Sequence, residues 1–271
     1  MRKEPTGAAG LEIVTSPVSP HEYLSDSRGN IASNLSLLCK KNSGLSRHFF
    51  YQVDIEVTIL TNYEHRHYFD RLVDYFASEK NKNPSRIYHP ELDVYRSVKD
   101  ESELRSAAVL LPITRQEEDN ESPLVLTVRS AKLKSHAGQI SLPGGTQEEH
   151  DHDSRATALR ESEEEIGLPR DQVEIIGRLG TLALPSGFLI TPIVGIIENG
   201  LEFVAQPEEV ADIFHAPLDL ILDITAYQKS SVEFKGAPRT IVEVHYEDYR
   251  IWGATAAILY HLATEISKFR N

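Results

Sequence analysis

Glu161, Glu164 and Glu165 stand at i, i+3 and i+4 within SRATALRESEEEIG, residues 154 to 167. On a helix this spacing puts three carboxylates on one side, with Cβ atoms about 5 to 6 Å apart. Each like-charge pair at i, i+4 costs a helix about 0.2 to 0.5 kcal/mol, and the last turns of a helix favour cations, not acids. Carboxylate oxygens are the hard donors that Mg2+ or Mn2+ prefers, so a divalent cation would relieve the repulsion. The competing reading is a solvated acidic face, ordinary in a chain with 41 acidic and 28 basic residues and a net charge of −13. Arg160 is placed to pair with Glu164 at i+4 and hold the array in shape.

The elements around these acids must position them. Ser154 reads as the helix N-cap, Gly167 as the glycine just past its end and Pro169 as the stop. Ala156, Leu159 and Ile166 form the face expected to bury the helix, leaving the acids outward in a cleft. Ahead of it, Gly144 and Gly145 allow a tight turn. AAVLLPI (107–113), PLVLTV (123–128), EIIGRLG (174–180) and TPIVGIIE (191–198) read as strands between turn signals. WGATAAILYHLATEISKF (252–269) reads as a second helix buried through Ile258, Leu259, Leu262 and Ile266, with Trp252 a core anchor at its start. A further helix is expected in HRHYFDRLVDYFASEK through Phe69, Leu72, Val73 and Phe76, preceded by a strand over 51–60. A mixed sheet with helices packed on it follows, an α/β class. The chain divides into an arm of unassigned role (1–60), a helical lead-in (61–104) and a main domain (105–271).

Composition excludes several functions. No apolar run approaches the ~20 residues of a membrane span, and no apolar leader segment opens the chain, so a cytoplasmic protein with no membrane partner is expected. The acidic balance argues against a broad nucleic-acid surface, whereas a small anionic substrate would need local cations or metal. The single cysteine, Cys39, rules out an internal disulfide framework and reads as a bystander thiol. His150 and His152 flank Asp151 without the spacing of a closed zinc site and read as surface loop residues.

The stretch from Gly145 resembles the Nudix box, which runs Gly, five residues, Glu, seven residues, then Arg-Glu-U-x-Glu-Glu-x-Gly-U with U apolar. Arg160, Glu161, Glu164, Glu165, Gly167 and Leu168 fall on its second half without a gap. In the first half Asp151 stands for the glutamate, eight residues separate it from Arg160, and Ser162 takes an apolar position. A longer loop with an aspartate is similar to the coenzyme A pyrophosphatase branch. VLTVRSAKLKSHAGQISLPGG (125–145) resembles that branch's upstream signature at Thr127, Arg129, Ser130, Leu133, His136, Gly138, Gln139, Pro143, Gly144 and Gly145. Later segments, LPSGFLITPIVG (184–195), EEVADIFHAPLDLIL (208–222) and YRIWGATAAILYHL (249–262), look like the same family, so the resemblance covers about residues 105 to 268.

The resemblance implies a Nudix-type α/β/α sandwich with a mixed sheet, here with an N-terminal extension. It also implies metal-dependent hydrolysis of the diphosphate of coenzyme A or its thioesters, giving 4′-phosphopantetheine and adenosine 3′,5′-bisphosphate. Glu161 and Glu165 would be the principal Mg2+ or Mn2+ ligands, and Glu164 a further ligand or a group orienting water. The general base would be a box glutamate or a later acid; of Glu208 and Glu209, the second matches a family position. Arg129, Ser130, Lys132, His136, Gln139, Gly144 and Gly145 would line the substrate side, with Lys132 and Lys134 adding charge. Physically Arg129 is a planar donor suited to phosphate, and His136 fits either a phosphate or a structural hydrogen bond. Other nucleotides such as NADH or ADP-ribose, a catalytically idle nucleotide- or protein-binding domain, and a homodimer stay open.

Overall fold

The computed structural model describes residues 68–89, 92, 102–116, 122–234 and 236–269. The arm and the strand expected over 51–60 lie outside the described residues, as does Cys39.

The apolar run of 105–114 becomes the centre of the fold. Strand β1 (Arg105–Thr114) pairs along its whole length with β7 (Phe188–Ile197) in parallel, from Arg105 opposite Phe188 to Thr114 opposite Ile197. A strand buried on both faces needs a continuous apolar run, which is why Ala107, Ala108, Leu110, Leu111 and Ile113 are all buried. On its other edge β1 meets the end of β2 (Pro123–Arg129) and the short β4 (Gly144–Thr146), both antiparallel. β2 carries β3 (Ile140–Ser141) and β8 (Val210–Pro217), while β5 (Val173–Arg178) and β6 (Leu182–Leu184) pair with β7. Among the described residues the result is a mixed eight-stranded sheet.

Two hydrophobic clusters lie against this sheet. One holds Ala108, Leu110, Val125 and Ile193 of the strands together with Ala158 and Ile166 of helix α2 (Ser154–Ile166). The larger one joins Leu111, Ile113, Leu124, Leu126 and Val194 to two helices. These are α1 (68–77), through Phe69, Leu72, Tyr75 and Phe76, and a C-terminal helix, Gly253–Lys268, through Ala256, Ile258, Leu259, Leu262 and Ile266. Both apolar helical faces read from the sequence are buried here, with Val73 partly so. The large cluster also takes in the one-turn helix α3 (Leu218–Leu222). The C-terminal helix is accordingly α4.

Among the described residues β9 (Gln228–Phe234), β10 (Ala237–Tyr246) and β11 (Tyr249–Trp252) form a second, three-stranded antiparallel sheet. Tyr249 of this sheet stacks on Phe214 of β8 with ring centroids 3.8 Å apart and donates its hydroxyl to Asp212 at 2.9 Å. Trp252 departs from the expected core anchor: it is half-buried, and the Arg250 guanidinium lies 5.2 Å from its ring centroid. Among the described residues no helix is long and apolar enough to cross a membrane.

Candidate active site

The cap of helix α2 lies one residue earlier than expected. Asp153, in extended backbone, accepts the N–H groups of Arg155 and Ala156 on Oδ1, so it and not Ser154 is the N-cap. At the far end Gly167 takes φ +67°, its N–H returning to Glu163 O and that of Leu168 to Ser162 O, a left-handed stop that suits glycine.

The buried face also differs from the expected one. Ala156 and Leu159 are only half-buried, whereas Ala158, Ser162, Glu165 and Ile166 face the sheet. Small residues at 158 and 162 let the helix sit close to β1 and β4. Ser162, fully buried in the apolar position of the box, satisfies its hydroxyl on Ala158 O at 2.7 Å. The acids therefore do not all point outward. Glu165 is 3% exposed, Glu161 is half-buried, and Glu163 and Glu164 are exposed. Glu163, off the shared face, accepts a bond from Arg170 at 2.7 Å.

Two glycines make room for this arrangement. The N–H of Gly144 donates to Glu165 Oε2 at 3.0 Å. A Cβ on Gly144 would lie 2.3 Å from Ala108 O, and one on Gly145 would lie 2.5 Å from the Glu161 carboxylate carbon. Strand β4 thus passes directly beneath the carboxylates, with Ala108 opposite Gly145 and Val109 opposite Gly144.

Arg160 is the hub. At 4% exposure its Nε and Nη2 grip both oxygens of Asp151, at 3.1 and 3.0 Å. Nη2 also donates to Thr146 O and reaches Glu161 Oε1 at 3.0 Å, and Nη1 donates to Glu164 at 3.0 Å. Asp151 further accepts the N–H of Glu148 and the hydroxyl of the fully buried Thr157. These bonds, the Arg160 pair first among them, hold the Asp151 carboxyl well below the usual range. The departure of this chain from the box is therefore accommodated: a shorter acid on a longer loop still meets the arginine side-on. Sequence reasoning missed Thr157; its spacing of six residues from Asp151 was the available signal.

Burial pushes the Glu165 carboxyl up to about 7, with the neighbouring Glu161 and Glu209 charges adding to it and Gly144 N–H and Arg129 opposing. Burial raises the Glu161 carboxyl too, against the Arg160 charge. Two carboxylates made reluctant to ionise by burial and by neighbouring acids suit a bound divalent cation, and the donor set fits one. Among the described residues no three carboxylate, thiol or imidazole groups already converge as a closed metal cluster. Instead Glu161 and Glu164 are engaged by Arg160 and Glu165 by Gly144.

Arg129 ends β2 at a register break opposite Val210, and its charge acts on Glu165. Its Nε is buried and meets no acceptor among the described residues. Glu209 is exposed on the loop before β8, close enough to act on both Glu161 and Glu165. The other expected substrate residues are placed differently. Ser130 is buried, with its hydroxyl donating to Pro207 O at 3.2 Å. Lys132 is paired with Glu208 at 2.6 Å. His136, at φ +58°, bonds Gln139 Oε1 through Nδ1 at 2.9 Å on an exposed turn. His150 and His152 are exposed on the loop before α2.

A family model described as NUDIX domain matches residues 103–232. An uncharacterized Nudix hydrolase NudL of Photorhabdus laumondii subsp. laumondii is 42% identical over 162 residues, covering 60% of this chain and 85% of that protein. One of Citrobacter koseri with the same description is 40% identical, covering 60% and 83%. Among solved structures, the MutT protein of Methanosarcina mazei Go1 is 18% identical with a TM-score of 0.39, covering 62% of this chain and 99% of that one.

Proposed function

The chain belongs to the Nudix hydrolases, and within that family we propose that it cleaves the diphosphate of coenzyme A, and of its thioesters, to 4′-phosphopantetheine and adenosine 3′,5′-bisphosphate. The observation that carries this reading is Arg129: a guanidinium whose buried Nε has no acceptor among the described residues, set beside the buried Glu165. A buried donor left unpaired is costly, and a phosphate oxygen would satisfy it with a charge-assisted bond. The upstream signature containing Arg129, matched from Thr127 to Gly145, supports coenzyme A as the nucleotide.

Glu161 and Glu165 would hold the divalent cation, Mg2+ or Mn2+, with Glu164 a further ligand or a guide for water once it leaves Arg160. When bound, the cation supplies charge neutralisation of the diphosphate and lowers the pKa of the attacking water. Glu209 would take the proton of that water, and Gly144 N–H would keep Glu165 oriented throughout. Arg129 would bind a phosphate oxygen, and the exposed Lys134 and His136 on the 130–139 turn would meet the anionic end of the substrate.

The test compares hydrolysis of coenzyme A, its 3′-dephospho form, NADH and ADP-ribose with Mg2+ and Mn2+ in 18O water. Coenzyme A is expected to turn over fastest; equal or faster turnover of NADH or ADP-ribose overturns the substrate assignment. Glu161→Gln and Glu165→Gln are each expected to cut the metal-stimulated rate at least about 100-fold, the upper range for merely orienting a ligand. An unchanged rate would remove the pair from the catalytic site.

A further inference from the structure

Ser130 lies where the substrate-side turn meets the loop that carries Glu209. Its N–H donates to Glu209 O at 2.8 Å and its hydroxyl to Pro207 O at 3.2 Å. The side chain is 4% exposed, which leaves no room for a ligand at the hydroxyl. The β2–β8 ladder slips between Val128 and Arg129, and Arg129 stands opposite Val210. Beyond that slip Ser130 continues the strands' contact by both main chain and side chain.

The loop from 204 to 210 is otherwise fastened to the metal helix. Val204 N–H donates to Ile166 O and Gln206 N–H to Glu165 O, both at 2.9 Å, so the loop caps the last turn of α2. Glu209 and Val210 N–H groups fold back onto Gln206 O, and Gln206 Oε1 accepts the N–H of Glu208. Pro207 has no N–H, so its carbonyl is its only polar main-chain group, and Ser130 is the side chain that engages it. The Lys132–Glu208 pair spans the same two loops, but its side chains are 60% and 68% exposed, a setting in which ion pairs hold little.

We propose that Ser130 is a positioning residue: it ties the 206–209 loop to the end of β2 and so fixes the Glu209 carboxylate at the Glu161–Glu165 pair, without touching substrate. This rests on the reading of Glu209 as the base. Main-chain bonds survive in Ser130→Ala, so the loop stays attached at 209 but loses its tie at 207. Misplacing a reacting group by about 1 Å costs on the order of 100-fold in rate, and loosening one of several ties costs a part of that.

The experiment measures kcat and KM on coenzyme A with Mg2+ for the parent, Ser130→Ala, Glu209→Gln and the double variant, all in the full chain. Expected are a kcat about 10-fold lower for Ser130→Ala with KM within twofold, and no further loss when it is added to Glu209→Gln. A raised KM at unchanged kcat, or an undiminished loss in the Glu209→Gln background, overturns the proposal. Parental kcat in Glu209→Gln sinks the base reading itself, a distinct outcome. Crystal structures of the parent and Ser130→Ala need no turnover: the 206–209 loop is expected to shift in the variant, and an unmoved Glu209 carboxylate overturns the positioning role.

Discussion

Gly144 and Gly145 look alike in sequence, yet each avoids a different collision. A methyl at Gly144 would strike the main-chain oxygen of Ala108, 2.3 Å away, at a residue with φ +153°. A methyl at Gly145 would strike the Glu161 carboxylate, the far end of a flexible side chain. Backbone cannot yield without disturbing the β1–β4 pairing, whereas a carboxylate can swing aside. Gly144→Ala is therefore expected to destabilise the fold by about 1 to 3 kcal/mol, the range of overpacking, read as a lower urea midpoint. Gly145→Ala should keep a near-parental midpoint while losing about 10-fold or more of the metal-stimulated rate, because the displaced acid is one of the proposed ligands. A rate equal to the parent's would mean that the position of Glu161 is unimportant.

The element that matters most is the loop and helix from Gly144 to Gly167, and its stability is concentrated in one buried ion pair. Removing one partner of a buried pair leaves an uncompensated charge and costs about 3 to 5 kcal/mol. Asp151→Ala would take from Arg160 the partner it grips with two nitrogens and leave it Glu161 and Glu164, a cost below that range yet above the about 1 kcal/mol of the N-cap that Asp153→Ala removes. Denaturant titration should rank the two variants in that order, and equal losses would deny Arg160 its role as the hub. This element was legible in the sequence in its outline: the box spacing gave the helix, its glycine stop and the three acids. Its buried face was not, because Ser162 and Glu165 are polar residues that reach the sheet by satisfying themselves on Ala158 O and Gly144 N–H. Apolar periodicity is blind to such bonds. The second sheet was illegible for another reason. Its β10–β11 hairpin turns on Glu247-Asp248, with Glu247 at φ +49°, in place of the glycine that usually marks such a turn. Ser130 was legible as a motif residue but not as a buried one, since its partners lie 77 and 79 positions away.

Across the whole molecule, the buried Glu165 and the partly buried His261, on opposite faces of the sheet, titrate in one pH window with opposite effect. His261 of α4 packs against the His89 ring, with centroids 5.7 Å apart; burial pushes its pKa down to about 4, with Glu265 opposing and His89 and Lys268 assisting. Below pH 6.5 the unfolded chain takes up a proton that the folded chain refuses until about pH 4, so this histidine removes stability as pH falls through that range. Glu165 behaves the other way. With its carboxyl at about 7 in the fold and 4.5 unfolded, the folded chain binds the extra proton first, and stability rises as pH falls from 7 to 4.5. Each shift corresponds to an effect on the order of 3 kcal/mol at full extent, so in the metal-free parent they largely cancel. Urea midpoints from pH 7 to 4.5 in the presence of a chelator should change less for the parent than for a chain lacking either group. They should rise for His261→Gln, which leaves Glu165 uncompensated, and fall for Glu165→Gln. Parallel profiles for all three chains would show that neither burial controls a proton. A saturating divalent cation held by Glu165 must displace that proton, so added Mg2+ should stabilise the parent more at pH 7 than at pH 5. In Glu165→Gln that difference should shrink to what Glu161 leaves, separating the buried carboxylate of the site from the partly buried imidazole on the other side of the sheet.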